Sequence, residues 1–437
     1  MNEIARKSES VDRTSSGLHW ALAAFFMVTD MSIGGMVSLP GPIFRIGIHR
    51  GLALLVLFGI LSCCSAILLG RCWQIVLHRF PEYRQKHCRR PYAEIGFCAL
   101  GHWMRMLVSI GVNATQFGVA TVFLLLCALN VRHLLHVLFR LDTSECLILL
   151  VLALLLLPLT LLKSPNEFWP ILFGGLFCTV ATFVIIFIGT LIDLFKPTKS
   201  SIPNVSSAES SDFNNYLNAI GTMLFAFGGH PAMPTIQHDM QNPADFHKSA
   251  ILGFSVIILF NFWVVLFACF AYGDGLSDSV VGSIRIAWVQ QIALGLITAN
   301  SLLAIILVIN PLNQEAEEFF RTPQEFGRRR VLVRSAVLAS VLFVAESVPN
   351  FGPFLGFVGS STVPLIALIL PFLFHLILSD SEGNDTQRQS RKMFIWARRA
   401  FYGTVIVFAA FVGCFATFSS LQTLFGAHFL MPCYLQI

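Results

Sequence analysis

About eleven apolar segments, separated by short polar connections, constrain the fold of this chain more than any other feature of its sequence. A helix needs about 20 apolar residues to cross the hydrocarbon core of a bilayer. Only 12% of the 437 residues are charged and 55% are hydrophobic, whereas about 25% are charged in a soluble domain. We therefore predict an all-α membrane protein with a single transmembrane domain at 18–424. The predicted spans are 18–46, 51–77, 103–139, 146–162, 168–194, 213–240, 250–272, 280–309, 331–348, 351–378 and 400–424.

Basic residues predict the orientation of these spans. Lysine and arginine cluster between spans two and three, after span eight and before span eleven. Short loops rich in these residues stay on the cytoplasmic side, so these loops and the N-terminal tail, residues 1–17, are predicted to be cytoplasmic. Residues 425–437 then form a short extracellular or lumenal tail. The loop after span five lies on that outer side and contains Asn204-Val205-Ser206, an acceptor sequence for glycosylation.

The sixth apolar segment is interrupted where a spanning helix should be continuous. Gly228 and Gly229 are followed by His230 and Pro231, and proline has no backbone N–H to donate. Hydrocarbon cannot satisfy the backbone groups that such a break exposes, so the break must face a protein-lined cavity or a ligand. The sequence therefore predicts a binding site at this point.

The first segment has similar features, five spans earlier. Gly34 and Gly35 lie in its middle, and Pro40, Gly41 and Pro42 follow about a turn later. In inverted-repeat transporters the first helix of each five-helix half is discontinuous. We therefore predict a 5+5 inverted repeat with broken helices 1 and 6, plus one extra helix. The alternative is that these glycines and prolines only pack or kink the helices.

The residues around both interruptions resemble a known family. Residues 225–230, with the sequence FAFGGH, resemble the sixth-helix signature of the amino acid/auxin permease family, together with residues 234–236, 239–240 and 243–246. Residues 33–40 resemble the first-helix break of that family, and residues 92–101 its stretch before helix three. The family includes the vesicular inhibitory amino acid transporters. This resemblance implies an eleven-helix, inverted-repeat fold and secondary transport of amino acids.

The chain departs from the family pattern in two ways, and the second concerns sodium. Many members have glycine where this chain has Ile33. Sodium-coupled members carry an asparagine near the position of Thr29 and a threonine on helix eight, where the nearest residues here are Asn300 and Ser301. Thr29, Asn300 and Ser301 are therefore candidates for a cation site, but they form an incomplete set. Hydroxyls that bond within their own helices are the alternative.

Backbone groups at the two interruptions are the predicted substrate ligands. If a second half-helix starts at the glycine pair of the first span, its N–H groups can bind an α-carboxylate with the helix dipole behind them. Carbonyls of the sixth span can accept from the α-ammonium. The predicted substrate-binding residues are Gly34, Gly35, Met36, Phe225, Ala226, Phe227, Gly228 and Gly229. Candidates for side-chain selectivity, with plain packing as the alternative, are Asn113, Gln116, Phe227 and Asn300.

Two titratable residues near the interruptions are candidates for coupling. Asp30 is costly in a membrane, by roughly 2.5–3.5 kcal/mol at a helix centre, so we expect it to be paired or to face a cavity. His230 can exchange a proton near physiological pH. The alternatives are that Asp30 has a fixed structural partner and that His230 caps backbone carbonyls freed by the break.

These features predict a secondary active transporter of small neutral amino acids that works by alternating access and is coupled to protons. The alternatives are a sodium-coupled amino acid symporter and a non-transporting amino acid sensor. No catalytic constellation is present in the sequence, so we predict no enzyme activity, cofactor, metal site or nucleic-acid partner. The eleven cysteines show no regular spacing and are expected to be packing residues. The expected location is the plasma membrane or an endolysosomal or vesicular membrane.

Overall fold

The computed structural model describes residues 17–85, 88, 90–161, 169–195, 212–322, 327–380, 392–426 and 432–435. The described part of the chain is helical and contains no β-strand, only an isolated parallel bridge between Leu18 and Met240. The predicted all-α class is therefore confirmed. Asn204, nearly all of the N-terminal tail and most of the C-terminal tail lie outside the described residues.

The first five predicted spans correspond to helices, with two short helices between spans two and three. Ser144 caps the start of the fourth span. Its side chain accepts from the Leu147 N–H at 3.3 Å and so satisfies one orphan donor of the helix. The helices are α1 (Trp20–Ser38), α2 (Pro40–Arg45), α3 (Ile48–Arg79), α4 (Glu82–Gln85), α5 (Pro91–Leu100), α6 (His102–Phe139), α7 (Glu145–Thr160) and α8 (Trp169–Phe195).

The second half of the chain follows the same order. A π-helical segment, Pro364–Ile369, lies within the tenth span between α14 and α15. The helices are α9 (Phe213–Ala226), α10 (Met233–His238), α11 (Phe246–Tyr272), α12 (Ala287–Phe319), α13 (Arg328–Ser347), α14 (Phe351–Ser361), α15 (Leu370–Asp380) and α16 (Lys392–Phe425).

Eight helical stretches in the described residues are long and apolar enough to cross a membrane. The other three predicted spans are weaker by length or composition for identifiable reasons. Helix α7 has only 16 residues, the sixth span is divided between α9 and α10, and α13 begins with three arginines, Arg328 to Arg330.

The interruption of the first span lies later than the glycine pair. Helix α1 runs through Gly34 and Gly35 and ends at Ser38, and α2 begins at Pro40. Proline ends the hydrogen-bond ladder because it has no N–H. Residues inside a helix donate their N–H groups to carbonyls four residues earlier. The prediction that the N–H groups of Gly34, Gly35 and Met36 open a second half-helix is therefore wrong.

The interruption of the sixth span lies where the sequence predicts it. Helix α9 ends at Ala226 and α10 starts at Met233. Between them the Gly228 N–H donates to the Phe225 carbonyl at 3.1 Å, and the Ala232 N–H donates to the Gly229 carbonyl at 3.3 Å. These are tight turns, so the segment 227–232 is non-helical within an apolar span.

The two interrupted spans contact each other at Gly34 and Gly35 of the first span. A methyl group on Gly34 would lie 2.7 Å from Cε1 of Phe225, and one on Gly35 would lie 2.8 Å from Cβ of Ala226. Such distances are too short for carbon atoms, so α1 and α9 approach this closely only because these positions are glycine. Helix α1 also packs on α11 and α8, while α6 packs on α12. The contact between the two interrupted spans therefore lies inside the helix bundle.

Two cysteines are not packing residues, which corrects the expectation from the sequence. Cys146, at the start of α7, forms a disulfide with Cys433, 287 residues later. The ring of Tyr434 then stacks on Phe343 of α13, with centroids 5.9 Å apart. The described C-terminal residues are thus tied to the fourth and ninth spans.

Candidate substrate site

A cavity of about 660 Å³ extends from the connection before α5 into the bundle as far as Asp30. Its outer part is bordered by Arg90, Glu315 and Glu318, which belong to loops and helix ends predicted to be cytoplasmic. We call this space the outer cavity, because it lies nearer the edge of the bundle; the name does not refer to the extracellular side. Its walls come from α1, α5, α6, α10 and α12, so elements from both halves of the chain enclose it.

A smaller space of about 30 Å³ adjoins the outer cavity, and we call it the inner pocket. The two share Asp30, Gln116, Pro231 and Ala232 as lining residues. The remaining lining of the inner pocket is apolar or glycine: Met31, Gly34, Val119, Phe123, Phe225, Gly228, Gly229 and Val363. The inner pocket therefore lies at the contact between the two interrupted spans.

Half of the predicted substrate-binding residues line the inner pocket, namely Gly34, Phe225, Gly228 and Gly229. The other four serve packing. Gly35 and Ala226 pack against each other, and Met36 and Phe227 are fully buried, the ring of Phe227 stacking on Phe254 at 6.4 Å between centroids.

Several lining residues were missed by the sequence analysis. Phe123 on α6 and Val363, between α14 and the π-helical segment, close the inner pocket. Both are ordinary apolar residues in apolar spans, so no sequence signal separates them from the core. Of the selectivity candidates, Gln116 and Asn113 line the outer cavity, whereas Asn300 is buried.

Asp30 borders both spaces. Within the described residues its carboxylate makes no hydrogen bond and no ion pair. Gly229 lies next to it, because a methyl group on Gly229 would lie 3.1 Å from Oδ2 of Asp30 and 2.5 Å from Cγ of Met31. The expectation that Asp30 faces a cavity agrees with this position, and the alternative of a fixed structural partner does not.

The interrupted segment also leaves backbone donors unused. In the described part of the chain, the N–H groups of Gly229 and His230 make no backbone hydrogen bond. The Phe225 carbonyl, by contrast, already accepts from Gly228. Unsatisfied donors inside a membrane span are costly unless a ligand or water meets them.

His230 has a different environment from Asp30. Its side chain is fully buried, Nε2 lies 3.3 Å from the Ser62 carbonyl oxygen of α3, and the ring packs near Phe254. It lines neither the outer cavity nor the inner pocket. It therefore contacts a backbone carbonyl, as in the structural alternative, but Ser62 lies inside α3 and its carbonyl is not one that the break frees.

Thr29 and Asn300 are close in space, on either side of Gly175 of α8. A methyl group on Gly175 would lie 2.7 Å from Cγ2 of Thr29 and 3.2 Å from Oδ1 of Asn300. Thr29 Oγ1 donates to the Phe25 carbonyl at 3.0 Å. Oδ1 of Asn300 and Oγ of Ser301 are buried and make no hydrogen bond within the described residues. Across those residues, no cluster of three or more His, Cys, Asp or Glu side chains is placed to bind a metal.

Ion pairs surround the end of α12 beside the outer cavity. Arg90 contacts Glu315 at 3.3 Å and also contacts Glu318. Glu317 pairs instead with two residues of α13, Arg330 at 3.1 Å and Arg334 at 2.5 Å. The acidic cluster at 315–318 is thus paired with basic residues from two neighbouring elements.

Comparisons with known proteins agree with this geometry. A family model described as "Transmembrane amino acid transporter protein" matches residues 16–419. Among curated proteins, amino acid transporter AVT1D of Arabidopsis thaliana is 24% identical over 399 residues, which cover 89% of this chain and 67% of that protein. Amino acid transporter AVT3B of the same plant is 23% identical over 408 residues, 90% of each chain.

Two solved structures have a similar fold. The crystal structure of MhsT in complex with L-phenylalanine aligns with a TM-score of 0.56 at 13% identity, covering 92% of this chain and 98% of MhsT. The inward-facing conformation of Mhp1 aligns with a TM-score of 0.55 at 12% identity, covering 95% and 94%. Both are transporters of the inverted-repeat fold, so the predicted 5+5 inverted repeat with an extra helix is confirmed.

Proposed function

The chain belongs to the transmembrane amino acid transporter family, and we propose that it moves small neutral amino acids across a membrane by alternating access, driven by protons. It is an integral, multi-pass membrane protein for amino acid transport. The observation that carries the proposal is the inner pocket, where the two interrupted spans meet beside an unpaired carboxylate. Irregular backbone inside a transporter bundle is where substrates bind.

The shape of the inner pocket supports a small substrate. Its volume is only about 30 Å³, and Phe123, Phe225 and Val363 close it. The α-amino and α-carboxyl groups of a substrate can lie at the junction with the outer cavity, where Gln116 and Asp30 provide polar atoms. A large side chain would have to displace the phenylalanine rings.

Asp30 is the stronger of the two candidates for proton coupling. It borders the cavity without a partner, so water from one side of the membrane can reach it, and closure of the cavity would change its solvation. His230 is enclosed by protein, so we assign it a structural role next to the break. The cavity mouth and the N-terminus are proposed to be cytoplasmic, in a plasma, endolysosomal or vesicular membrane.

Sodium coupling is the second candidate, because one observation favours it. The buried oxygens of Asn300 and Ser301 lack hydrogen bonds in the described structure, and Thr29 lies beside Asn300. Carbonyl and hydroxyl oxygens can bind Na⁺, so this group of residues is where a sodium ion would bind.

Uptake of labelled amino acids into vesicles reconstituted with the purified protein tests these proposals. We expect accumulation with sodium replaced by choline and its loss when an ionophore collapses the pH gradient. Loss on sodium removal, with no effect of the ionophore, would instead establish sodium coupling. An Asn300→Ala variant then serves as the matched test, since it should impair only a sodium-driven reaction. Binding of an amino acid without any uptake would support the sensor alternative.

A further inference from the structure

We propose that Asp30 binds the ammonium group of the transported amino acid, so that a free amino group is the main element by which this site recognises its substrate. This inference rests on the proposed function and specifies how the inner pocket selects its ligand. In the described part of the chain, Asp30 is the one charged residue among those lining the inner pocket.

Asp30 needs a counter-charge, because it lies within an apolar membrane span. A carboxylate within a membrane span costs roughly 2.5–3.5 kcal/mol on insertion scales, and such groups are normally paired. Asp30 has no protein partner among the described residues. Among the described residues that line the outer cavity, the cation is Arg90, which is already engaged by Glu315 and Glu318. The remaining counter-charge for Asp30 is a cation that enters through the cavity.

A ligand can reach the carboxylate of Asp30, because Asp30 lines both the outer cavity and the inner pocket. Gly229 lies against Asp30, and even a methyl group there would lie 3.1 Å from Oδ2. Glycine at this position therefore allows the interrupted segment to approach Asp30 and Met31 this closely. Gln116 lines the same junction of the inner pocket and the outer cavity, and its amide oxygen is a further acceptor.

An ammonium group is the kind of cation that fits this site. An ammonium group donates three hydrogen bonds, and charge-assisted bonds to a carboxylate are the strong ones. The walls beyond Asp30 are apolar, formed by Val119, Phe123 and Phe225, and suit the small carbon chain attached to an amine. Ammonium binding needs the ionised carboxylate, so a coupling proton and the substrate would occupy Asp30 at different stages of transport.

The test compares three probes as inhibitors of amino acid binding: L-alanine, its decarboxylated analogue ethylamine, and its deaminated analogue propanoate. If a screen of the standard amino acids selects another substrate, its own decarboxylated and deaminated analogues replace them. For the wild type we expect ethylamine to compete and propanoate not to compete at equal concentration.

The decisive variant is Asp30→Asn, which keeps size but removes the charge. Loss of one charge-assisted contact should weaken L-alanine binding about 10- to 100-fold and abolish competition by ethylamine. Asp30→Glu, which keeps the carboxylate, should restore competition by ethylamine. The matched control is Asp245→Asn, since Asp245 pairs with Lys248 outside the cavity. Monodispersity on size-exclusion chromatography shows that each variant is folded.

The outcomes separate this inference from the proposed function. If Asp30→Asn binds L-alanine as the wild type does, or if propanoate competes better than ethylamine, the ammonium proposal is wrong while amino acid transport stands. If the wild type neither binds nor transports any standard amino acid, the proposed function itself fails. In that case a thermal shift of the wild type by ethylamine, absent in Asp30→Asn, would still support an amine site.

Discussion

At the scale of single residues, Gly229 determines how closely the interrupted segment can approach Asp30. It lies in the interrupted segment of the sixth span and directly against Asp30 and Met31 of α1. A larger residue would have to push Met31 aside, and Met31 is buried. The inner pocket therefore depends on the absence of one side chain.

We expect Gly229→Val to abolish transport while insertion and protein amount remain nearly unchanged. A β-branched side chain resists the open backbone and fills the space beside Asp30. Overpacking of this kind costs about 1–3 kcal/mol of stability, so the loss of uptake is expected to come from the filled space and not from failure to fold. Gly403→Val on α16 is the control, because an added Cβ there meets no atom within 4 Å. Normal uptake by Gly229→Val would mean that the interruption is only a kink.

At the scale of elements, the first part of the interrupted sixth span is held by close contact with α14. A methyl group on Gly359 would overlap the Gly221 carbonyl oxygen and would lie 2.8 Å from Cβ of Phe225. The atoms on the α9 side include backbone, which a rotamer change cannot move. This contact fixes the position of Phe225, which closes the inner pocket.

Gly359→Ala should therefore lower the thermal stability of the protein, by about 1–3 kcal/mol for overpacking. Gly295→Ala on α12 has open space around the added carbon and should leave stability unchanged or raise it, since alanine is the better helix former. Thermal unfolding of the two purified variants in the same detergent measures the difference. Equal melting temperatures would show that α9 and α14 can separate at little cost.

The end of α12 is anchored by ion pairs of unequal strength. Glu317 is 12% exposed and pairs with Arg334, which is 1% exposed, whereas Glu318 is 64% exposed and pairs with Arg90. Arg334 also donates to the Thr160 carbonyl of α7 at 2.5 Å. Glu317 thus connects α12 to α13, and through Arg334 to α7.

We predict that Glu317→Ala destabilises the protein far more than Glu318→Ala. Removing one partner of a buried pair leaves the other charge poorly compensated and costs about 3–5 kcal/mol. An exposed pair contributes about 1 kcal/mol or less. Thermal unfolding of both variants tests this prediction, and a larger loss for Glu318→Ala would contradict it.

At the scale of the whole molecule, the disulfide and the charge distribution bear on the same question of orientation. Cys146 is the first residue of the predicted fourth span, and Cys433 follows the eleventh, so both cysteines lie at the side predicted to be extracellular or lumenal. Disulfides form in oxidising compartments outside the cytosol, so the bridge supports the predicted orientation independently of the basic loops.

Labelling of cysteines in intact cells can test the bridge and the orientation together. In the wild type, a membrane-impermeant maleimide should not label Cys433, because it is oxidised. In Cys146→Ser, the freed Cys433 thiol should become labelled from outside, or from the lumenal side in sealed organelles. Cys146→Ser with Cys433→Ser is the control for labelling of the nine free cysteines. Labelling only after the membrane is permeabilised to the cytosol would reverse the orientation.

Glycosylation provides a further test of orientation. Asn204 is predicted to be glycosylated. Asn384, which begins another acceptor sequence, Asn384-Asp385-Thr386, is not, because the basic loops predict that it is cytoplasmic. Treatment with a glycosidase should shift the wild type on a gel and leave Asn204→Gln unmoved. A shift that persists in that variant would overturn the acceptor site or the orientation.

The amino-acid sequence alone was sufficient to predict the helical class, the position of the spans and the interruption of the sixth span. Hydropathy decides which segments enter a bilayer, and a Gly-Gly-His-Pro run breaks a helix because of its local backbone chemistry. These properties depend on neighbouring residues, so Gly228, Gly229 and the spans could be identified from the chain alone. Asp30 could be identified as well, because any carboxylate inside a span is costly.

Packing between helices that are distant in sequence determines which of these residues line the site. Gly34 lines the inner pocket whereas Gly35, its neighbour, packs on Ala226. Phe123 closes the pocket and His230 lies outside it. Cys146 finds its partner 287 residues away. Each outcome depends on which face of a helix meets a helix distant in sequence, and that is set by packing between elements, which no local pattern encodes.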